Sequence, residues 1–265
     1  MILHDQHVHS KYSADSVEDL KLYFEKAKAL GCSYFVTTDH FDLDLVEHHE
    51  DWTVDFDSLK KELKKLSEIY PTITPLLGIE VGYRVDNLDK INAQLAEEEF
   101  DLVNLSIHDI PDADFYWIKY FNKFGVQELM NKYFDAMIEA TLNFTNYDVL
   151  SHIDYAFKTI YLDDNSHDIS KYENKIKQVF LNLIKNNKAL EINTKVQEAI
   201  NNDNHLKYLL KLYKSLGGIH LTLSSDAHSV NRYKSSYDYY VNIIKEEGFD
   251  HLVYFIKRKM YIYNI

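Results

Sequence analysis

The side chains best suited to chemistry in this chain are histidines and carboxylates that recur between residues 7 and 228. They are His7, His9, Asp15, His40, Glu80, His108, His152, Asp226 and His228. Imidazole and carboxylate without thiolate are typical ligands of zinc, manganese or iron, and a carboxylate such as Glu80 can bridge two ions. Two ions about 3.5–4 Å apart can share a hydroxide nucleophile and clamp the oxygens of a phosphoryl group. The set therefore predicts a metal-dependent hydrolase.

Two runs in this set separate their outer residues by a single apolar residue. They are His-Val-His at 7–9 and Asp-Ala-His at 226–228, and an extended backbone would aim both outer side chains of each run at the same face. A lone histidine after a strand is more often a cap or a core residue than a ligand. Because six of the thirteen histidines follow predicted strands, we interpret those six as ligands and the other seven as surface or structural residues.

Short β-rich stretches alternate with longer stretches of helical period, as in βα units around a parallel sheet. The predicted strands are 2–7, 34–38, 75–81, 102–107, 148–152, 189–193 and 219–224. The predicted helices are 16–30, 57–70, 126–143, 171–187, 204–216 and 236–247, and residues 252–262 fit either a strand or a helix. The candidate ligands lie at or just past strand ends. Since a barrel brings the carboxyl ends of its strands to one face, a β/α barrel is favoured over an open doubly wound sheet.

The composition of the 265 residues is that of a globular protein, with 46% hydrophobic and 27% charged residues. No Pro-, Gly- or Ser-rich linker interrupts the chain, so we predict a single domain over residues 1–265. Cys32 is the only cysteine, which excludes an intramolecular disulfide and a cysteine-based zinc cluster. With neither a signal peptide nor an apolar run of about 20 residues, we expect a cytoplasmic protein without membrane contact.

Seven short motifs, in order along residues 5–228, resemble the polymerase-and-histidinol-phosphatase (PHP) superfamily. They read His7-Val-His9-Ser, Thr38-Asp-His40, Gly78-Ile-Glu80-Val-Gly, Ser106-Ile-His108, Ser151-His152-Ile-Asp154, Glu191-Ile-Asn193-Thr and Ser225-Asp226-Ala-His228. Within the superfamily the chain looks like the monofunctional histidinol-phosphatase branch. The resemblance implies an α/β fold, a distorted TIM-like (β/α)7 barrel with its active site at the carboxyl ends of the strands. It also implies hydrolysis of L-histidinol phosphate to histidinol and phosphate in histidine biosynthesis.

Carried over by position, the resemblance implies two or three divalent ions. The implied ligand sets are His7, His9, Glu80 and Asp226 for the first ion, Glu80, His108 and His152 for the second, and Asp15, His40 and His228 for the third. The implied mechanism is attack on a phosphate monoester by a hydroxide that bridges the first two ions. The proton for the leaving alkoxide would come from Asp226, from His228 or from a metal-bound water.

The chain differs from the family at the positions expected to bind the phosphate. Histidinol-phosphatases commonly have arginines after the Ser-His-Ile-Asp and Glu-Ile-Asn-Thr segments, and lysine supplies the charge but not the planar fork of arginine. The candidate phosphate contacts are Lys158, Lys195, Arg84 and Arg232. Glu191 and Asn193 would either bind the amine and hydroxyl of an amino alcohol or orient the metal ligands from behind.

Three other functions stay open at this point. A PHP phosphodiesterase or exonuclease would act on nucleotides or short oligonucleotides, although the net charge of −13 with only three arginines makes nucleic acid a poor partner. A metal-binding module without catalysis would be expected to have lost ligands. A C–N hydrolase of the amidohydrolase type would usually show a bridging lysine where this chain has Glu80. We therefore expect a small phosphomonoester as substrate, and the sequence indicates no oligomeric state.

Overall fold

The computed structural model describes residues 4–162 and 167–265 and has a mixed α/β fold around a curled parallel sheet that forms a half-barrel. Six parallel strands follow one another across the sheet: β1 (Tyr34–Thr37), β3 (Thr74–Gly82), β4 (Leu102–Ser106), β7 (Val149–Leu150), β8 (Ala189–Asn193) and β9 (Leu221–Ser224). The short β2 (His40–Asp42) continues the pairing along β3 beyond β1. Six of the seven predicted strands are therefore confirmed, with β7 shorter than expected.

The predicted first strand, 2–7, is wrong within the described residues; residues 1–3 lie outside them. Residues 4–7 are not a strand, and Val8 alone forms a parallel bridge, to Ala227. The reason is that side chains accept hydrogen bonds from the backbone N–H groups that a strand would use. The N–H of His7 is bound by the side chain of Asp5 and that of Val8 by the side chain of Thr38, at 3.3 and 3.0 Å, so neither is free for a backbone ladder.

Ten α-helices lie among the described residues, and six of them match the predicted ones. The helices are α1 (Leu20–Ala29), α2 (Phe56–Ile69), α3 (Leu88–Glu97), α4 (Ile118–Phe124), α5 (Val126–Asn143), α6 (Phe157–Tyr161), α7 (Glu173–Lys185), α8 (Thr194–Ile200), α9 (Asp203–Ser215) and α10 (Tyr237–Glu246). The first begins at Leu20 and not at residue 16, because the Asp19 side chain accepts the N–H of Lys21 as an N-cap. None of these helices is both long and apolar enough to cross a membrane.

Two hairpins complete the fold. The ambiguous segment 252–262 is a β-hairpin, β10 (His251–Ile256) and β11 (Lys259–Asn264), whose turn residues Lys257 and Arg258 have the positive φ angles that a two-residue hairpin turn requires. Val253 and Phe255 of β10 pack on residues near the amino ends of the sheet strands. The second hairpin, β5 (Asp109–Ile110) and β6 (Ala113–Asp114), lies just past the carboxyl end of β4. The carboxyl ends thus remain available for a site.

His4 makes the stability of this fold depend on pH. Its ring is 2% exposed and packs against Tyr34 and Tyr254. Burial, with the charge of Lys234 adding, lowers the pKa of His4 from 6.5 to about 3. Between those values the unfolded chain binds the extra proton, so the free energy of unfolding falls as the pH falls through this window.

The substitution His4→Phe removes the titrating group and keeps a ring in the space. From pH 6.5 to pH 4.5 the variant should lose about 2 kcal/mol less free energy of unfolding than the unaltered protein. Urea unfolding at the two pH values measures the difference, and any constant cost of the substitution cancels. If both proteins lost the same free energy of unfolding, the fold would not lower the pKa of His4.

Candidate metal centre

Nine candidate ligands converge at the carboxyl ends of the strands. Glu80 lies within β3 and His40 begins β2, while His108, His152 and Asp226 follow β4, β7 and β9. The bridge between Val8 and Ala227 brings the His-Val-His and Asp-Ala-His runs side by side. Seven of the nine are buried, and Asp15 and His228 are more open, with side chains 28% and 22% exposed.

Glu80 is the centre of the cluster. Five imidazoles approach its carboxylate within 4 Å: those of His7, His9, His40, His108 and His152. Its Oε2 is 3.1 Å from Nε2 of His7, and its Oε1 is 2.9 Å from Nε2 of His152. Burial alone would raise the pKa of Glu80, but the surrounding imidazoles hold it well below its usual range. This carboxylate is placed as one that bridges cations would be.

The nine side chains fall into four overlapping groups whose ligand atoms lie within 4.8 Å of one another. The groups are His7, His9 and Asp226; His7, Glu80 and His152; His40, Glu80 and His108; and His9, Asp15, His40 and His228. The structure therefore brings together every residue that the sequence proposed as a ligand. Four of them, His7, His9, His40 and Glu80, each belong to two groups.

The donor set fits divalent metal ions. Nε2 of His7 and Nε2 of His9 are buried, and neither has a hydrogen-bond partner among the described residues. Both nitrogens face carboxylate oxygens, Nε2 of His9 at 3.3 Å from Asp226 and 3.4 Å from Glu80. Buried nitrogen atoms without partners are costly, and an ion between imidazole and carboxylate would satisfy both.

Glu191 and Asn193 lie behind the ligands and do not line the cleft. Glu191 Oε1 lies 2.8 Å from Nδ1 of His7, and its Oε2 accepts the backbone N–H of His152 at 2.8 Å. Asn193 donates to Glu191 at 3.1 Å and caps α8 by accepting the N–H of Val196. Of the two roles considered for these residues, the geometry favours the second, orientation of the ligands.

Asp42 has the same role, and the sequence reasoning missed it. Its Oδ2 lies 2.9 Å from Nδ1 of His40, and its Oδ1 lies 2.6 Å from Nδ1 of His108. A Cβ on Gly82 would collide with Asp42 Oδ1, so this glycine makes room for the carboxylate. The alternation His40-Phe41-Asp42 in an extended segment was the available signal.

Replacing Asp42 with asparagine should weaken metal binding by about 10- to 100-fold, because the two imidazoles lose the carboxylate that fixes their tautomer and orientation. A competition titration with a chromogenic chelator measures the affinity. Asp44→Asn, at an exposed position two residues away, is the matched control. Unchanged metal affinity in the Asp42 variant would mean that neither imidazole is a ligand through Nε2.

A cleft of about 450 Å³ opens above the cluster, and two lysines line it. Lys195, in α8, has its Nζ 3.3 Å from Asp226 Oδ1 and 3.0 Å from Nδ1 of His228. Lys158, in α6, has its Nζ 3.7 Å from the centre of the Tyr155 ring. Burial, with the charge of Lys195 adding, lowers the pKa of Lys158 to about 7. Two lysine side chains thus stand beside the cluster.

The two arginines proposed as phosphate contacts are not brought to the cleft. Arg84 Nη1 donates to the backbone oxygen of Asp44 and lies 3.4 Å from Asp109 Oδ2. Arg232 pairs with Glu198 on α8. Neither lines the cleft, so of the four proposed cations only the lysines are placed to meet a ligand there.

Comparison with known proteins agrees with this geometry. A model of the PHP domain matches residues 5–195. The chain belongs to the PHP domain family. It is 28% identical to the histidinol-phosphatase of Lactococcus lactis subsp. lactis over 97% of this chain and 95% of that protein. It is also 28% identical to a probable histidinol-phosphatase of Clostridium acetobutylicum over 84% of this chain and 86% of that one.

Solved structures of PHP proteins show the same fold. The crystal structure of the Lactococcus lactis histidinol phosphate phosphatase, complexed with zinc, L-histidinol and phosphate, aligns with a TM-score of 0.88 at 27% identity and covers 97% of this chain and 98% of that one. The putative histidinol phosphatase of Listeria monocytogenes aligns with a TM-score of 0.75 at 17% identity, over 89% and 99% of the two chains, which supports the fold alone.

One further residue of this PHP chain, Asp154, links the two helices that carry the lysines. Asp154, the last residue of the Ser-His-Ile-Asp motif, accepts a hydrogen bond from Gln197 of α8 at 2.6 Å, and its Oδ2 lies 3.1 Å from Nε2 of His205. The ring of His205 also lies 3.3 Å from the hydroxyl of Tyr161 in α6. All four are buried. These contacts connect α6 and α8, the two short helices that carry the lysines. The Ser-His-Ile-Asp motif alone did not indicate that Asp154 would make them.

Proposed function

We propose that this PHP-family chain is a metal-dependent phosphomonoesterase, a histidinol-phosphatase that hydrolyses L-histidinol phosphate to histidinol and phosphate. The observation that carries the proposal is the full set of nine candidate ligands on the floor of a cleft that also contains Lys158 and Lys195. Support comes from the Lactococcus lactis relative, whose structure contains zinc, L-histidinol and phosphate and which matches nearly the whole chain.

Two or three divalent ions would be held by the overlapping groups of the cluster, with Glu80 shared between neighbouring ions. Zinc, manganese and iron all suit these ligands. When bound, such ions lower the pKa of a water nucleophile and offset the charge on the phosphoryl oxygens. The chain itself contributes Glu191 and Asp42, which hold the imidazoles in place, and a cleft floor that is largely closed to bulk water.

The lysines have the role that arginines commonly have in the family. Lys195 is positioned by Asp226 and His228, at 3.3 and 3.0 Å, and Lys158 rests on the Tyr155 ring. Each ammonium group binds a phosphate oxygen as a point charge, without the two parallel hydrogen bonds of arginine. Together they draw the phosphate end of the substrate to the cluster.

We assign delivery of the proton to the leaving alkoxide to His228 in preference to Asp226. Burial would raise the pKa of Asp226, but Lys195 and His7 hold it well below its usual range, so this carboxyl stays ionised at neutral pH. His228 lies nearer the cleft opening, with its Nε2 2.6 Å from Asp15 Oδ2. Histidine is the side chain that most often acts as a general acid.

We also infer that residues 7–9 act as the seventh strand of a distorted (β/α)7 barrel. The inference is supported by hydrogen bonds on both sides of this segment: the N–H of His9 donates to Ala227 O at 2.8 Å, and the N–H of Thr38 donates to Val8 O at 2.8 Å. The segment thus lies between the stretch that follows β9 and the residue that follows β1. One barrel over residues 1–265 remains our proposal for the domain organisation.

Steady-state kinetics of the zinc- or manganese-loaded protein test the proposed function. Histidinol phosphate is compared with sugar phosphates, nucleotides and a diester such as bis-p-nitrophenyl phosphate. We expect kcat/KM for histidinol phosphate within the range of about 10⁴–10⁸ M⁻¹s⁻¹ that is usual for physiological substrates, well above the other compounds. Preference for the diester would replace the proposal with a PHP phosphodiesterase.

A further inference from the structure

One carboxylate in the cleft makes no ion pair within the described part of the chain. Five acidic side chains line it: Asp15, Asp42, Glu80, Asp114 and Asp226. Three of them belong to the groups of candidate metal ligands, and Asp42 accepts from two imidazoles. Asp114 is different. Its recorded hydrogen bond is to the backbone N–H of Tyr116, at 2.7 Å from Oδ1, and no lysine, arginine or histidine of the described chain lies within ion-pair distance of it.

The β5–β6 hairpin fixes the position of Asp114. It ends β6 and pairs with Asp109 across the hairpin, and the next residue, Phe115, donates its N–H to His108 O at 3.0 Å. The residue is 5% exposed, and burial raises the pKa of its carboxyl. A buried carboxylate without a cationic partner is costly to keep charged. The fold therefore maintains a preformed position for a positive group of a ligand.

The carboxylate lies next to the phosphate end of the cleft. Tyr116 connects the two: its N–H donates to Asp114, and its ring centre lies 5.0 Å from Nζ of Lys158. Tyr116 and Trp117 are 52% and 40% exposed and line the cleft on this side, which leaves aromatic surface available to an organic group. An anion site and a free carboxylate separated by one aromatic residue suit a small molecule with a phosphate and an amine a few bonds apart.

We propose that Asp114 binds the protonated amine of the substrate and makes the cleft selective for phosphomonoesters of amino alcohols. This inference rests on the proposed function, because it assumes that a phosphate ester binds over the cluster. Asp114 acts in specificity and not in the chemical step. The ammonium donates to the carboxylate oxygen that Tyr116 leaves free, in a charge-assisted hydrogen bond.

The test compares histidinol phosphate with its desamino analogue, which has the same phosphate and imidazole but lacks the amine. The kcat/KM of each ester is measured with the metal-loaded protein and with Asp114→Asn. The ratio of the two kcat/KM values should favour the amine about 10- to 100-fold in the unaltered protein, the effect expected of one charged hydrogen bond. In the variant the ratio should fall to within about threefold of one.

The control is Asp112→Asn, which changes an exposed residue of the same hairpin that approaches Lys132. This variant should keep the ratio of the unaltered protein.

Two outcomes would overturn the inference while the proposed function stands. One is an unaltered ratio in Asp114→Asn, and the other is a parallel loss for both esters, which would mean that Asp114 positions Lys158. Calorimetry with L-histidinol adds a binding readout, and the variant should bind it at least about tenfold more weakly. If the unaltered metal-loaded protein cleaves neither ester, the proposed function itself fails, and the inference fails with it.

Discussion

Replacing Glu80 with alanine is expected to lower kcat/KM for histidinol phosphate by at least about 10³-fold, because the proposed metal centre would lose the carboxylate at its middle, which is worth several kcal/mol. Glu80 is the only residue whose oxygens approach five imidazoles within 4 Å in the described part of the chain. Its loss should also lower the metal content of the purified protein, measured by inductively coupled plasma mass spectrometry alongside the kinetics.

The matched control for this substitution is Glu68→Ala, on the exposed face of α2. It removes the same side chain far from the cluster and should change neither metal content nor rate. Circular dichroism and gel filtration would establish that the Glu80 variant is folded. A folded Glu80→Ala protein with its full metal content and full activity would exclude this cluster as the active centre.

Removing both cleft lysines is expected to produce the second large effect. Each charge-assisted contact with phosphate contributes about 1.5–3 kcal/mol, so Lys158→Ala with Lys195→Ala should lower kcat/KM by roughly 10²- to 10⁴-fold. Most of the change should appear as a higher KM, because both cations bind phosphate in the ground state as well as in the transition state. Initial-rate kinetics over a wide range of substrate concentration separate KM from kcat.

Arginine at both positions provides a sharper comparison. If the lysines occupy the place of the family's arginines, Lys158→Arg with Lys195→Arg should retain most of the activity, since each arginine keeps the charge and adds a fork. Lys185→Ala, at an exposed position in the last turn of α7, controls for the loss of a lysine elsewhere. An alanine double variant with unaltered KM would place the phosphate away from both lysines.

The convergence of the candidate ligands could be predicted from the sequence because most of them lie in, or just past, a predicted strand. Six of those strands form, and parallel strands bring their carboxyl ends together whatever the details of the helices. The short elements could not be predicted. Helices α6 and α8 have five and seven residues, too few to show a helical period, and yet they carry Lys158 and Lys195.

The directions of individual side chains could not be predicted from the sequence either. Arg84 follows the Gly-Ile-Glu-Val-Gly motif closely, but its guanidinium turns to Asp109 and the backbone of Asp44, which no pattern of one strand can indicate. The same limit hid Asp42, whose two imidazole partners come from β2 and from the end of β4. Contacts between different elements decide such roles, and periodicity describes only single elements.

The most direct test of the account is the activity of the chelator-treated protein as metal is added back. The protein stripped of metal should hydrolyse histidinol phosphate at a negligible rate while remaining folded. Its rate should rise with added zinc or manganese and reach a plateau at two or three equivalents per chain, the number proposed for the overlapping groups. Full activity in protein shown to contain no metal would contradict the account.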